Sequence, residues 1–179
     1  AMPIGFRAIT SYDKGRSARD QLEAARYDFA KLRGVFLTHA HWDHTSGLPD
    51  FPTTPVLVTA EERTFIREGG FLTAVARDFG GDHYERYAFE GGPYLGFPRS
   101  HDLHGDGSIV VVPAPGHTPG SVIVFVTVPA SNGAGAGARY AFVGDLCWQG
   151  EGVTEREERP WLQRTLEIGR ASCRERVCY

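Results

Sequence analysis

The chain has 179 residues, 41% hydrophobic and 23% charged, a mix that fits one ordinary globular domain and excludes a disordered chain. The formal net charge is −3, and Arg16, Arg19 and Arg26 are interleaved with acids, so no basic stripe is offered to nucleic acid or to an anionic membrane. No stretch approaches the roughly 18 consecutive apolar residues of a membrane-crossing helix. Residues 1–7 lack the basic-then-apolar order of a secretory signal, and three cysteines, Cys147, Cys173 and Cys178, make no disulfide framework. Both features point to the cytoplasm.

The 22 glycines and 11 prolines predict short elements joined by many turns. Residues 17–32 carry Leu22, Ala25, Phe29 and Leu32 at helical spacing behind Ser17 as N-cap, which predicts one helix ended by Gly34. Residues 35–38 read as a short buried strand running into His39, and 55–59 as a second strand after a Gly/Pro/Asp loop. Residues 60–79 read as a helix broken near Gly69 and Gly70, and 84–89 as a strand. A Gly-rich loop spans 90–107, followed by β-branched or aromatic strands at 108–112, 121–128 and 138–143. Residues 129–137 form a low-complexity connection between the last two. Strands alternating with helices predict an α/β layered domain without repeats.

Residues 168–177 (IGRASCRERV) carry no apolar period. They resemble a translation of a short-read sequencing adapter, through the codons ATC GGA AGA GCG TCG TGT AGG GAA AGA GTG. The expected domain is therefore 1–167, with 168–179 a non-native tail left out of the fold.

The strongest chemical signal is HxHxDH at 39–44: His39, His41, Asp43 and His44, directly after a buried strand. Three imidazoles and a carboxylate in six residues are costly to desolvate unless something binds them. That donor set suits Zn²⁺ or a neighbouring first-row divalent ion. Residues two apart in extended chain point the same way, so His39 and His41 converge on one ion, while Asp43 and His44 reach a second. In 113–121 (PAPGHTPGS), two glycines and three prolines fix a turn that projects His117 as a third neutral ligand. An apolar strand then ends in Gly144-Asp145, a carboxylate placed to bridge two cations.

In this order the motifs, from Thr38 to Asp145, resemble the metallo-β-lactamase-fold hydrolase superfamily. The resemblance implies an αββα sandwich with the metals at one edge. His39, His41 and His117 would form the first metal site, Asp43 and His44 would belong to the second, and Asp145 would join them. Two departures stand out. The family supplies a final His after the GD, and none follows His117; it also opens with a strand hairpin of which residues 4–12 resemble only the end. The expected fold is thus a partial αββα sandwich truncated at the C-terminus and at the N-terminus, and inactive in this form.

For the complete protein the resemblance implies two zinc ions and a metal-bound hydroxide attacking a carbonyl, with Asp43 orienting the nucleophile and shuttling its proton. The substrate is a small molecule, and a lactone or other small ester is favoured by elimination. Thr45-Ser46-Gly47 replaces the paired glycine of glyoxalase II-like thioester hydrolases, and Cys147 stands too close behind Asp145 for a lactamase-type ligand. The alternatives are a glyoxalase II-like thioester hydrolase and a degenerate, non-catalytic metal-binding member. Trp42, Phe71, Tyr94, Phe97 and Trp148 are candidates for an apolar acyl pocket, and His101 and His104 for loop contacts to substrate.

Overall fold

The computed structural model describes residues 17–130 and 137–147, so the tail at 168–179 and Trp148 lie outside the described residues. Two sheets form the frame. Strands β1 (Val35–Phe36), β2 (Val56–Val58) and β3 (Tyr84–Arg86) pair in parallel, in that order. Strands β4 (His101–Asp102), β5 (Ile109–Pro113), β6 (Val122–Val128) and β7 (Ala138–Phe142) form an antiparallel meander. Crossovers between parallel strands need intervening chain, and here helices supply part of it: α1 (Ala18–Ala24) precedes β1, α2 (Trp42–Thr45) follows it, and α3 (Ala60–Glu68) and α4 (Ala74–Phe79) link β2 to β3.

Three apolar clusters define the layers. Leu37, Val56, Val58, Ile66 and Ala76 pack the parallel sheet against α3 and α4. Phe36 of β1 joins Val111, Val122 and Val124 between the two sheets. Val112, Ile123 and Leu146 fill the outer face of the meander, where Tyr94, Phe97 and Phe125 cover them. Among the described residues, that outer face is therefore closed by a folded loop in place of a second helical layer. The loop is held by bridges between Gly91 and Ser100 and between Tyr94 and Phe97. No helix among the described residues is long and apolar enough to cross a membrane.

Two sequence expectations need correction. The single helix over 17–32 is two pieces: α1 ends at Ala24, Arg26 takes a left-handed φ of 54°, and a 3-10 turn at Phe29–Lys31 follows. Asp28 starts that turn by accepting the Ala30 N–H, and Phe29 turns toward Tyr27 and Phe51. The packing of Phe29 outweighs the helical period, since α1 itself buries no residue that would hold it straight. The Gly-rich loop, in turn, contains β4, whose His101 and Asp102 pair with Val111 and Val110.

The break expected near Gly69 and Gly70 is present as a 3-10 turn, Gly70–Thr73, between α3 and α4. Strand β1 is shorter than the expected 35–38, yet Thr38 still takes part in pairing: its carbonyl accepts the Val122 N–H at 2.9 Å. That one bond joins the end of the parallel sheet to the start of β6. With β7 paired along β6, the segment after β1, the turn between β5 and β6, and the segment after β7 meet at a common edge.

Candidate metal centre

Each part of the site follows from how a strand ends. After β1 the chain runs extended through His39, Ala40 and His41, and His41 then caps α2 with φ −67° and ψ 156°. The sharp entry into α2 turns His44 back over His39, their rings 4.0 Å apart. Between β5 and β6, Gly116 N–H binds the Thr118 carbonyl and Ala114 N–H the Ser121 carbonyl, closing a tight turn with His117 inside it. Gly120 permits this turn to lie against α3, because a Cβ there would sit 2.4 Å from both the Glu62 nitrogen and Thr59 Oγ1.

After β7, Gly144 has a φ of 54°, and a Cβ on it would meet Thr38 Oγ1 at 2.8 Å and His39 Nδ1 at 3.2 Å. Only glycine allows the strand to turn so close to His39 and deliver Asp145 beside it.

His39, His41 and His117 are buried and each offers one nitrogen within 4.8 Å of the others. His41 Nδ1 and His117 Nε2 are 2.9 Å apart. Two nitrogens bound at 2.0–2.1 Å to one tetrahedral ion stand about 3.3 Å apart, so the spacing is close to that of shared ligands. Beside them His39, His44 and Asp145 form a second donor group. Asp145 spans the two: Oδ1 is 2.9 Å from His44 Nε2, and Oδ2 is 3.6 Å from His117 Nε2.

Asp43 stands apart from both groups. Its side chain is 47% exposed and Oδ2 is 3.8 Å from His44 Nε2. His101 is tied to the Ala88 carbonyl and stacks near Tyr87, and His104 lies in the turn organised by Asp102; neither joins the cluster. Of the aromatic candidates, Trp42 is core, Tyr94 and Phe97 pack on Phe125, and Phe71 is exposed.

The electrostatics divide the cluster in two. Burial, reinforced by the imidazoles of His44, His117 and His41, pushes His39 down to about 2. Burial also lowers His41, against the pull of Asp43 and Asp145. For His44, burial works downward, but the Asp145 hydrogen bond with the charges of Asp145 and Asp43 raises it in sum. Burial pushes Asp145 upward, yet the His44 bond and the surrounding imidazoles hold it well below the carboxylate range.

Neutral imidazole is the form that binds a metal. His39 Nε2 is buried and makes no hydrogen bond among the described residues. Leaving such atoms unpaired is expensive unless a cation or a proton partner meets them. The donor set, its spacing and the orphaned His39 nitrogen therefore fit a divalent ion. The sequence reading missed Glu62, Thr118 and Ser121, all buried, which stand directly behind the imidazoles. It also missed Phe65, whose ring lies 5.7 Å from His41.

A stretch of 125 residues is 29% identical to the N-acyl homoserine lactonase AttM of Rhizobium johnstonii, covering 66% of this chain and 45% of that protein. A protein described as a probable metallo-hydrolase from Mycobacterium tuberculosis is 32% identical over 119 residues, 63% of this chain and 38% of its own. The chain thus spans less than half the length of these relatives.

Among solved structures, a quorum-quenching N-acyl homoserine lactone hydrolase matches with a TM-score of 0.59 at 17% identity, covering 83% of this chain and 53% of that one. A variant of AiiA from B. thuringiensis, with N-decanoyl-L-homoserine at its active site, matches with a TM-score of 0.57 at 18% identity, over 78% of this chain and 48% of that one. At these identities the likeness is one of fold. The sequence pattern of the Metallo-beta-lactamase superfamily matches residues 10–162, and the chain belongs to that superfamily.

Proposed function

We propose that this chain carries the metal-binding part of a divalent-metal-dependent hydrolase acting on a lactone or other small ester, with zinc as the metal and two ions in the complete centre. The observation that carries the reading is the convergence of three buried imidazoles, His39, His41 and His117, beside the His44–Asp145 pair. The resemblance to AttM, an N-acyl homoserine lactonase, supports the lactone within the small-ester class.

A divalent ion held by the three imidazoles supplies Lewis acidity, polarising a carbonyl and acidifying water toward a pKa of about 7. The protein's own groups do the rest. His39, His41 and His117 would hold the first ion, and His44 and Asp145 would serve the second; Asp145 Oδ1 lies beside His44 and Oδ2 beside His117. Asp43, half-exposed and outside both donor groups, is the carboxylate left to orient an incoming water and take its proton at Oδ2. The apolar ring of Phe65 beside His41 limits water on that flank.

The test strips the full-length protein with chelator, reloads it with Zn²⁺, and offers an N-acyl homoserine lactone, a thioester and an anionic aryl ester. Metal-dependent opening of the lactone supports the reading. Thioester cleavage alone would favour a glyoxalase II-like activity, and bound metal without hydrolysis would favour a non-catalytic member of the family. Hydrolysis that persists in metal-free protein contradicts the proposal outright.

A further inference from the structure

Glu62, in the first turn of α3, is 2% exposed, and its charge is met by hydrogen bonds. Oε1 accepts the Ala40 N–H at 2.6 Å. Oε2 accepts the Gly120 N–H at 2.9 Å and the Thr118 hydroxyl at 2.7 Å. Ala40 stands between His39 and His41; Thr118 follows His117, and Gly120 closes the same turn. One carboxylate therefore spans the two segments that carry all three imidazoles.

The sequence alone suggests a duller role. Thr59 and Glu62 have the Thr-x-x-Glu spacing of a capping box, in which the acid would reach back to the N-cap nitrogen. Thr59 does cap α3 by accepting the Glu62 N–H at 3.1 Å. The Glu62 carboxylate spends its three bonds elsewhere. Burial alone does not explain it either, since an apolar residue of similar volume is commonly no worse for stability than a buried charge.

The partners of Glu62 are themselves fixed. The Thr118 N–H donates to Ser121 Oγ at 3.0 Å, and the two hydroxyl oxygens lie 2.8 Å apart. With the Thr118 hydroxyl donated to Glu62, the Ser121 hydroxyl donates to Thr118 Oγ1. The chain of bonds then runs in one direction, from Ser121 through Thr118 to the carboxylate.

We propose that Glu62 is the positioning residue of the metal centre: it ties Ala40 to Thr118 and Gly120, and so sets the separation between His41 Nδ1 and His117 Nε2. The inference rests on the reading of His39, His41 and His117 as metal ligands. Outer partners of ligands typically govern metal affinity by 10- to 100-fold.

The test titrates the metal-free protein and its E62Q, T118V and T118S variants with Co²⁺. It reads affinity and the visible spectrum per bound cobalt, with thermal unfolding of each metal-free protein alongside. E62Q keeps one accepting oxygen and turns an amide toward donors on the other side, so it should lose about 10- to 100-fold in affinity with an altered spectrum. T118V keeps the shape of the side chain and removes one donor, and should lose up to about tenfold. T118S keeps the hydroxyl and should bind like the parent protein, the reverse of what a methyl-packing role would give.

Should E62Q fail to fold, the T118V and T118S pair decides. Parent-like affinity and spectrum in both E62Q and T118V would overturn the proposal while leaving the ligand reading intact. Failure of the parent protein to hold cobalt would overturn the ligand reading and this inference with it.

Discussion

His39, His41 and His117 lie behind the surface with nitrogens facing one another, whereas His44 and Asp145 lie further out and hold each other at 2.9 Å. Burial shifts His39 and His41 toward the neutral form, whereas the Asp145 carboxylate shifts His44 toward the protonated form. The inner group is thus ready for a cation as it stands. In the outer pair a cation competes with the proton that Asp145 favours on His44. Preparing neutral donors takes burial, and preparing a charged bridge takes a partner; the two needs are met within a few ångströms by the different depths of two strand ends.

The most direct way to break this contrast is to remove an inner imidazole. H117A should lower affinity for the first Zn²⁺ by more than about 100-fold, since even residues behind a ligand are worth 10- to 100-fold. Competition with a chromophoric chelator would measure it, and parent-like affinity would remove His117 from the ligand set. D145N acts on the outer pair. In the full-length protein, for which two ions are proposed, it should leave the first ion in place and reduce bound zinc by dialysis toward one per chain, because the imidazoles of His39 and His44 carry no charge to share between ions. An unchanged stoichiometry would show that Asp145 does not link the two groups.

Packing behind the site gives the next largest effect. G120A forces a Cβ against the Glu62 nitrogen and Thr59 Oγ1, and should cost about 1–3 kcal/mol in chemical denaturation. A neutral result would mean that the turn can move off α3 freely.

The smallest effect expected is a dependence of metal-free stability on pH. His39 and His41 titrate below their ordinary 6.5 when folded, so the unfolded chain takes up protons first, and their contribution is lost as pH falls below 6.5. His44, raised when folded, works the other way: it contributes below 6.5 and loses that contribution as pH rises through its own value. Thermal midpoints should therefore fall on acidification from about pH 7.5 to about 5.5, across the ordinary imidazole range, and fall more steeply in H44Q. A midpoint that rises on acidification in both proteins would contradict the assignment of depth.

Much of the site is legible in the sequence because its donors cluster at strand ends, where a strand's last residues fix direction. His39, His41 and His44 are nearly contiguous, and His117 and Asp145 sit in short turns with glycines that mark close approach. Glu62 is not legible, because its spacing from Thr59 is that of an ordinary helix start; Ser17 and Asp20 have a similar spacing and do form a reciprocal capping box. Only the return of two distant segments to the same helix distinguishes the two acids.

The same limit applies to the fold. Helical spacing over 17–32 is real, but Arg26 breaks the helix because Phe29 finds partners outside it. Asp43 follows the same rule. Sequence groups it with His44, and its Oδ2 does lie 3.8 Å from His44 Nε2, but its half-exposed carboxylate is not part of the tighter group of His39, His44 and Asp145. Tyr94 and Phe97, candidates for a substrate pocket by sequence, are folded by the loop onto Phe125.

The central claim is that three imidazoles from two strand ends hold one divalent ion. Anomalous diffraction at the zinc edge, from crystals of zinc-loaded protein, tests it most directly. The account predicts a zinc peak at about 2.0–2.1 Å from one nitrogen each of His39, His41 and His117. A zinc peak elsewhere, or one that omits any of these three residues, would contradict it.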